Sequence, residues 1–530
     1  MLHAKRWLFL IHRWLGIVVC AFFAMWFVSG VVMMYVGYPK LTAAERLEHL
    51  PPLDPAAALL GPREALDAAG LRGPLQEFRL AAASGGRAVY LAVPLPENSS
   101  AQAGQRRRSP GAGTVVIDAG SGVVLKEVDR ARAMASAAAF AGPGISMAYE
   151  GTIGEDAFTH SRGLDSHRPL HRVQLDEPAR TLLYVSGTTG EVVRDAPRAE
   201  RLWNYAGAWI HWLYPFRGNV FDPYWTDIVN WLSIVGIAVT LTGTVVGLMR
   251  WRFKGTYKRG SHSPYQGAMM RWHHIAGLLF AAVTLTWIFS GLMSMNPWRI
   301  FDSGAPALRT EAMAGGRLVI GSDAATPAAL MADLPRGVRE LRWTMAEGRN
   351  LVMASGPAGR PAVRDAANGH AHAIDTGKLS ASVTRLLPDP VARIEVLNTY
   401  DTYYYARDAH TMTGGGEKPL PIWRVVFADA HETWVHVDPH TGTVLGRIDS
   451  HRRWSRWLFA MLHSWDWLPL LDRRPLWDIV LVILSIGGTA LSLTGVVIGW
   501  RRLGRKLRSA HGSPRATPFG HFSERPHSNG

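Results

Sequence analysis

The sequence predicts an integral membrane α-helical bundle of four spans in two parallel repeats, with two α+β extracytoplasmic domains. Three observations predict this fold class: four long apolar runs, basic residues concentrated beside those runs, and an internal duplication. The composition of the 530-residue chain agrees, because 48% of its residues are hydrophobic and only 19% are charged. The single cysteine, Cys20, excludes an intrachain disulfide, cysteine-ligated metal centres and covalent haem attachment.

Four apolar runs have the length of a membrane-spanning helix. None of them contains Lys, Arg, Asp or Glu, and a helix needs about 20 residues to cross roughly 30 Å of hydrocarbon. The first run is too long for a signal peptide, and no small-x-small cleavage site precedes Pro39. The runs are Trp14–Val36, Ile228–Met249, Ile275–Met295 and Ile479–Trp500.

The net charge of +15 is concentrated in three short segments, residues 1–37, 250–271 and 501–530, each of which touches an apolar run. This placement follows the positive-inside rule of membrane proteins, so it favours a lipid bilayer and no nucleic acid as the partner. The N terminus, the basic loop and the C terminus are therefore predicted to be cytoplasmic. The predicted order is cytoplasmic N terminus with span 1 (1–37), outer domain (38–226), span 2 (227–250), basic cytoplasmic loop (251–271), span 3 (272–296), second outer domain (297–476), span 4 (477–502) and disordered cytoplasmic tail (503–530).

The two long loops have the patterns of folded α+β domains. They are too long to be linkers. Helices are predicted over Pro55–Ala69 and Ala325–Leu334, and alternating apolar residues predict strands. The predicted strands are Ala88–Val93, Thr114–Ile117, Leu341–Met345, Asn350–Ala354, Arg393–Ala406, Pro421–Asp429 and Thr433–Asp438.

A short motif recurs within the loops. In each copy an apolar residue precedes an Asp or Ser that is followed by glycine, which is turn chemistry and predicts a hairpin. The copies are Ile117–Val124, Val185–Val192, Val437–Val444 and a truncated one at Ile374–Gly377.

Two parts of the chain match each other in sequence. Residues 169–250 align with 421–502 without a gap at an offset of 252, and spans 1 and 3 match at an offset of 261. The unit of helix, domain and helix is therefore used twice, as a parallel repeat about an axis along the membrane normal. The matched positions include His12 with His273, His211 with His463, Thr242-Gly243 with Thr494-Gly495, and Ser29-Gly30 with Ser290-Gly291.

The first span opens with His12-Arg13-Trp14-Leu15-Gly16. Together with the hairpin motifs and the four helices, this sequence resembles the PepSY-associated transmembrane proteins. That family consists of iron-regulated bacterial inner-membrane proteins and includes ferric-siderophore reductases with two b haems. The resemblance covers almost the whole chain short of the tail. It implies PepSY-like outer domains and a multi-pass protein of the bacterial inner membrane.

Four of the 21 histidines recur in both copies of the repeat, as the pairs His12/His273 and His211/His463. A symmetric site needs such matched pairs, whereas a surface histidine has no reason to recur. Haem iron in a membrane bundle is commonly held by neutral imidazole, so the pairs predict two b-type haems. The alternative is a structural role, as interfacial residues or a shared helix cap.

The height of each histidine decides the pairing. His12 and His273 lie at the cytoplasmic starts of their spans, and His211 and His463 lie just before spans 2 and 4, at the outer face. A span of about 30 Å separates these levels, but two ligands of one iron have nitrogens only about 4 Å apart. One haem is therefore predicted between His12 and His273 and another between His211 and His463. His274 remains an alternative to His273.

A denser histidine group, His160, His167 and His171, admits two interpretations, a metal site or polar surface. No metal site separate from the haem iron is predicted from it, because the second copy has Trp423 opposite His171.

The predicted function is a membrane oxidoreductase that passes electrons through two haems to an extracytoplasmic acceptor, by the resemblance a ferric siderophore. No dinucleotide-binding fingerprint is evident, so the electron donor is a separate cytoplasmic molecule or a quinol. No catalytic residue is predicted. The alternative is a non-enzymatic PepSY membrane protein that binds a periplasmic partner or restrains a protease. Transport is disfavoured because no span contains a carboxylate or an evident break.

Overall fold

The computed structural model of the chain describes residues 2–95, 113–258, 260–407, 411 and 418–511. The chain divides into two compact units. The helical unit is Met1–Phe27, Ile234–Leu285 and Ile486–Gly530, and the mixed unit is Val28–Ser233 and Thr286–Ser485.

The helices include long apolar ones and many short ones. In chain order they are α1 (Leu2–Tyr35), α2 (Ala43–His49), α3 (Pro62–Ala68), α4 (Arg130–Ala141), α5 (Arg198–Asn204), α6 (Trp225–Arg250), α7 (Ala268–Leu279), α8 (Ala281–Ser294), α9 (Thr310–Ala314), α10 (Pro327–Met331), α11 (Thr376–Val383), α12 (Ser450–Ser455), α13 (Leu462–Ser464), α14 (Leu468–Leu471) and α15 (Leu476–His511).

The strands all belong to the mixed unit. They are β1 (Leu75–Ser84), β2 (Arg87–Pro94), β3 (Val115–Asp118), β4 (Met147–Ile153), β5 (Leu170–Leu175), β6 (Leu182–Ser186), β7 (Val192–Ala196), β8 (Glu340–Ala346), β9 (Arg349–Ser355), β10 (Ala362–Asp365), β11 (Val391–Leu397), β12 (Ile422–Phe427), β13 (Trp434–Asp438) and β14 (Thr443–Ile448).

Within the described residues, three helices, in the regions of α1, α6 and α15, are long and apolar enough to cross a membrane, and α7 with α8 makes a fourth if the bent pair is one span. The pair is bent by 67°, at Phe280, whose backbone (φ −105°, ψ 9°) leaves the helical region. The prediction that no span contains a break was therefore wrong. No proline marks the position, so the usual signal for a sharp bend is missing from the sequence.

The helix α15 extends beyond the predicted end of the fourth span. It continues to His511, so the predicted disordered tail (503–530) begins with helix and that prediction was wrong for residues 503–511. The remainder of the tail, residues 512–530, lies outside the described residues.

Strands from both predicted loops form one six-stranded sheet, in the order β10-β9-β8-β1-β2-β3. At its centre β1 pairs antiparallel with β8, which places Phe78 opposite Trp343 and Leu80 opposite Leu341. These four side chains are buried in one hydrophobic core. The prediction of one domain per loop did not anticipate a shared sheet, because periodicity reveals strands but not their partners.

Each loop also contributes a four-stranded antiparallel sheet of its own, β4-β5-β6-β7 and β11-β12-β13-β14. The helix α4 begins at the N-cap Asp129 and packs Ala133 and Ala137 into the core of the first sheet. The helix α11 packs Leu379 and Val383 into the core of the second. The amphipathic helices are thus held by burial against a sheet face.

The hairpin motif forms the same turn in three predicted copies. The amide of Gly122 donates to Asp118, that of Gly190 to Ser186, and that of Gly442 to Asp438. Each of these glycines has a positive φ, a conformation that glycine adopts without steric cost.

The truncated fourth copy was predicted wrongly. Asp375 does not start a hairpin; its side chain accepts from the amides of Gly377 and Lys378 and caps α11. The fourth turn instead lies at Asp365, whose carbonyl accepts from the amide of Gly369. The predicted strand Arg393–Ala406 also ends early, at Leu397.

A buried ion cluster joins α2, β1 and β8. Glu340 accepts from Arg46 at 2.6 Å, and Arg79 donates to Glu191 at 2.7 Å while lying 3.5 Å from Glu340. Burial alone would raise the pKa of Glu340, but Arg46, Arg342 and Arg79 together lower that pKa to about 2. The carboxylate therefore stabilises the folded state while it is charged.

Glu340→Gln should destabilise the joint between β1 and β8, because breaking a buried ion pair costs roughly 3–5 kcal/mol. In the wild type, the contribution of Glu340 is complete above its unfolded pKa of about 4.3 and is lost as pH falls towards 2. Hydrogen exchange of the β1 and β8 amides checks both effects. Glu311→Gln, in the exposed pair with Arg317, is the control and should change little. If Glu340→Gln lost protection on acidification to the same extent as the wild type, the acid-dependent stability could not be assigned to the Glu340 carboxylate.

Candidate functional site

In the helical unit, His12 of α1 faces His273 of α7, with ring centroids 6.2 Å apart and ring planes inclined by 35°. The Nδ1 atom of His12 lies 3.1 Å from the carbonyl oxygen of Val239, and that of His273 lies 3.2 Å from the carbonyl oxygen of Leu491. A carbonyl only accepts, so each Nδ1 carries a proton and donates it. In this tautomer, the lone pair of each neutral imidazole is at Nε2.

In the mixed unit, His211 faces His463 with ring centroids 6.1 Å apart and planes inclined by 77°. The Nδ1 atom of His211 lies 2.9 Å from the hydroxyl of Ser29, and that of His463 lies 3.0 Å from the hydroxyl of Ser290. The hydroxyl of Ser290 also donates to the carbonyl of Trp287, so it is free to accept from His463. The two histidines thus have the same kind of partner on a neighbouring helix.

Both histidines of this second pair follow a π-helical segment, at Tyr205–Trp209 and at Arg456–Met461. Such wide turns occur frequently at functional sites. The helical stretch then ends in a residue with left-handed backbone, Leu213 (φ 54°) or Trp465 (φ 48°). The local geometry that presents each imidazole is therefore matched as well.

The two segments are held by different polar groups. Arg456 donates to the buried carboxylate of Asp466 at 2.6 Å, and Arg407 and Tyr405 contact the same carboxylate. The residue equivalent to Arg456 is Asn204, whose buried amide has no hydrogen-bond partner within the described residues. The ion pair between Arg456 and Asp466 therefore fixes the segment before His463, and among the described residues Asn204 makes no equivalent contact.

A glycine lies against each of the four imidazoles. A Cβ atom added to Gly243 would lie 2.5 Å from Cε1 of His12, and one added to Gly495 would lie 3.3 Å from Cε1 of His273. The corresponding distances are 3.7 Å from Gly30 to His211 and 3.8 Å from Gly291 to His463. The absence of a side chain lets the neighbouring helix approach each ring.

These contacts explain the repeated dipeptides of the sequence. Ser29-Gly30 and Ser290-Gly291 supply the hydroxyl and the glycine of one pair, and the glycines of Thr242-Gly243 and Thr494-Gly495 supply the close approach of the other. Sequence comparison found them as matched positions but assigned them no role. Their recurrence at matched positions in both copies, like that of the four histidines, was the signal that could have revealed that role.

The residues present fit a haem iron with two imidazole ligands. A metal–nitrogen distance of about 2 Å, with about 1.1 Å from each nitrogen to its ring centre, puts two such rings roughly 6.3 Å apart. The observed separations are 6.2 and 6.1 Å. Metal-ligating histidines almost always donate their other ring N–H to a fixed partner, as the Nδ1 contacts here allow. The cofactor itself stays a prediction.

The alternative ligand His274 has both ring nitrogens in other contacts. Its Nδ1 lies 2.8 Å from the hydroxyl of Ser263 and its Nε2 lies 2.9 Å from the carbonyl oxygen of Gly247. The imidazole is therefore a donor to Gly247 and has no lone pair directed at His12. This geometry favours His273 over its neighbour.

The denser histidine group does not converge on one point. His160 contacts Glu155, His167 lies 3.1 Å from the hydroxyl of Ser186, and His171 lies 2.8 Å from the hydroxyl of Tyr149. Over the part of the chain that the structure describes, no group of three or more His, Cys, Asp or Glu side chains could hold a metal ion.

Long apolar helices, β-rich regions and paired histidines together define a membrane protein with α+β domains. The sequence profile of the PepSY-associated TM region matches residues 9–378, and the chain belongs to this family. The matched range includes His12, His211 and His273 and ends before His463. A search of curated protein sequences returns no match.

Proposed function

We propose that this chain is a di-haem oxidoreductase that carries electrons across the bacterial inner membrane to a ferric siderophore. The observation that supports it most strongly is the occurrence of two facing imidazole pairs at the separation of iron ligands. Membership of the PepSY-associated family supports the membrane setting. The proposed electron donor is a cytoplasmic molecule or a quinol.

The proposed topology has four spans in two parallel repeats, with α7 and α8 together forming the third span. Basic residues at the ends of the apolar runs support cytoplasmic termini. The repeat is supported by contacts that recur at equivalent positions, such as Val239 and Leu491 beside the first histidine pair and Ser29 and Ser290 beside the second. The β-rich regions would then be the extracytoplasmic PepSY-like domains.

The chain's own residues would hold and tune the cofactor. Bound haem supplies a one-electron Fe(III)/Fe(II) couple. His12 and His273 would donate from Nδ1 to the carbonyls of Val239 and Leu491, which fixes the ring orientation and raises the basicity of each ligand. His211 and His463 would likewise donate from Nδ1 to the hydroxyls of Ser29 and Ser290. Reduction of a chelate to Fe(II) weakens its hold by hard oxygen ligands and releases the metal.

Purified full-length protein, produced under haem-replete conditions, should contain about two b haems per chain, because each facing pair supplies one bis-imidazole site. The pyridine haemochrome assay measures this ratio, and a reduced-minus-oxidised visible spectrum shows whether both haems change oxidation state. Ferric chelate added to the reduced protein should reoxidise both. Protein without haem would contradict the proposal and favour a non-enzymatic member that binds a periplasmic partner or restrains a protease.

A further inference from the structure

An open cleft of about 510 Å³ lies in the mixed unit, beside the helical stretch that leads to His211. Arg180, Arg198 and Arg201 line it together with the aromatic side chains of Phe158 and Tyr205, and its lining includes no carboxylate. Pockets for small ligands typically measure about 300–1,000 Å³. The cleft therefore has the size and the positive charge of a site for an anionic small molecule.

The arginines of the cleft are weakly compensated. Arg201 donates to the carbonyl of Arg180 at 2.8 Å and to the side chain of Gln174 at 3.2 Å, and neither acceptor carries a charge. Within the described residues, Arg198 and Arg201 form no ion pair with a carboxylate. Arg180 pairs with Asp176 at 2.6 Å, but both side chains are more than half exposed, so the pair neutralises little of the field.

The second copy of the repeat provides an internal comparison. Arg201 corresponds to Arg453, which forms an ion pair with Glu432. Glu432 occupies the position of Arg180, and the two residues share the same left-handed backbone, with φ of 49° and 48°. Arg198 corresponds to Ser450. The same turn thus carries opposite charges in the two copies, so the fold does not require the arginines.

We propose that this cleft binds the polyanionic ferric chelate that the protein reduces; the redox part of this inference rests on the proposed function. The guanidinium groups would offset the ligand's charge, and Phe158 and Tyr205 would pack against its planar groups. The transfer would move one electron: a haem held by the imidazole pairs would supply it, and the chelate's iron would accept it and change from Fe(III) to Fe(II). No bond to the chelate has to form or break.

Aromatic contacts connect the cleft with the segment that carries His211. The ring of Tyr205 lies 5.5 Å from that of Phe158 and 5.5 Å from that of Trp209, centroid to centroid. Tyr205 is both a wall of the cleft and the first residue of the π-helical segment. A chelate in the cleft would therefore lie beside the helical stretch that carries His211, a proposed iron ligand.

An anionic lipid headgroup is the competing occupant. Exposed apolar residues occur at equivalent positions of both copies, Leu202 and Trp454, each 60% exposed. A lipid-binding site at the bilayer surface would be expected in both copies. The second copy, however, has Glu432 where the first has Arg180. The asymmetry favours a ligand that binds once per chain.

Gallium(III) tris(catecholate), a redox-inert trianion, tests the site by equilibrium dialysis against the full-length protein in a detergent free of anionic lipid. Arg180→Glu and Arg198→Ser each install the residue of the second copy, so both variants should fold. Each should weaken binding about tenfold, because it removes a positive charge from the cleft and so weakens the attraction for a trianion. Arg87→Glu, an exposed arginine of the same unit, is the matched control and should bind as the wild type does.

Unchanged binding in Arg180→Glu and Arg198→Ser would overturn the assignment, as would equal weakening in Arg87→Glu. Absence of gallium-complex binding, combined with arginine-dependent binding of phosphatidylglycerol vesicles, would overturn it in favour of a lipid site. The gallium complex does not require haem. Haem-free protein that still binds it through these arginines would therefore refute the proposed function alone, whereas haem-loaded protein that does not bind it would refute the cleft alone.

Discussion

His463→Ala should remove or alter one of the two proposed b haems and leave the other with both imidazoles. Only His211 would remain as a ligand at the His211–His463 pair, so the iron there would become five-coordinate or be lost. The low-spin signal per chain should therefore fall to about half. Low-temperature electron paramagnetic resonance together with the haemochrome assay measures the change. His12→Ala should have the same effect on the other haem. Transmembrane electron flow should stop in both variants, because a chain of carriers fails wherever it is interrupted.

The comparison variant is His274→Ala, which removes a buried histidine next to a proposed ligand. Since both of its ring nitrogens contact Ser263 and Gly247, both haems should be retained. Loss of a haem in His274→Ala, combined with retention in His273→Ala, would show that the alignment of α1 with α7 is wrong by one residue. Retention of two bis-imidazole haems in His463→Ala would refute the ligand assignment itself.

Gly243→Ala should displace His12 and abolish or weaken haem binding at the His12–His273 pair. The added Cβ would lie 2.5 Å from Cε1 of His12 and 2.8 Å from its Nδ1, well inside van der Waals contact. The hydrogen bond to Val239 and the facing geometry cannot both persist, and overpacking of this kind costs about 1–3 kcal/mol. Haem content and the spectrum of the remaining haem report the result.

Gly16→Ala is the matched control, because its Cβ would lie 3.9 Å from a side-chain carbon of Val239, an ordinary contact. Both substitutions place alanine in a long apolar helix, where it is a better helix former than glycine. Gly30→Ala, at 3.7 Å from His211, should also retain haem. Equal haem loss in Gly16→Ala and Gly243→Ala would indicate a general packing defect. It would contradict the proposal that Gly243 makes room for His12 as a ligand.

The long helices were predictable because their signal is local. An apolar run without charges predicts a span by length alone. In the part of the chain that the structure describes, three helices long enough to span a membrane correspond to runs 1, 2 and 4. The bend at Phe280 was not predictable, since neither proline nor a glycine pair marks it. The shared sheet of β1 and β8 was missed for a related reason: alternation reveals a strand but not the partner it chooses from a distant part of the chain.

The duplication carried the site prediction furthest. It selected His12, His211, His273 and His463 from 21 histidines, and the structure places them as two facing pairs. Their hydrogen-bond partners could not be derived in the same way. Which carbonyl or hydroxyl meets an Nδ1 atom depends on the rotation of each helix, and a sequence does not report rotation. The turn at Asp365 was missed because its glycine follows Asn and not Ser or Thr.

The central claim is that each iron is held by one histidine from each copy of the repeat. Two double variants test it directly, and bis-imidazole haem per chain is the measured quantity. With His12 and His273 both replaced by alanine, one bis-imidazole haem should remain, because His211 and His463 are intact. With His12 and His211 both replaced, none should remain, because each pair has lost a member. If the His12/His273 variant instead lost both bis-imidazole haems and the His12/His211 variant kept one, the ligands would pair within a repeat. That result would contradict the central claim.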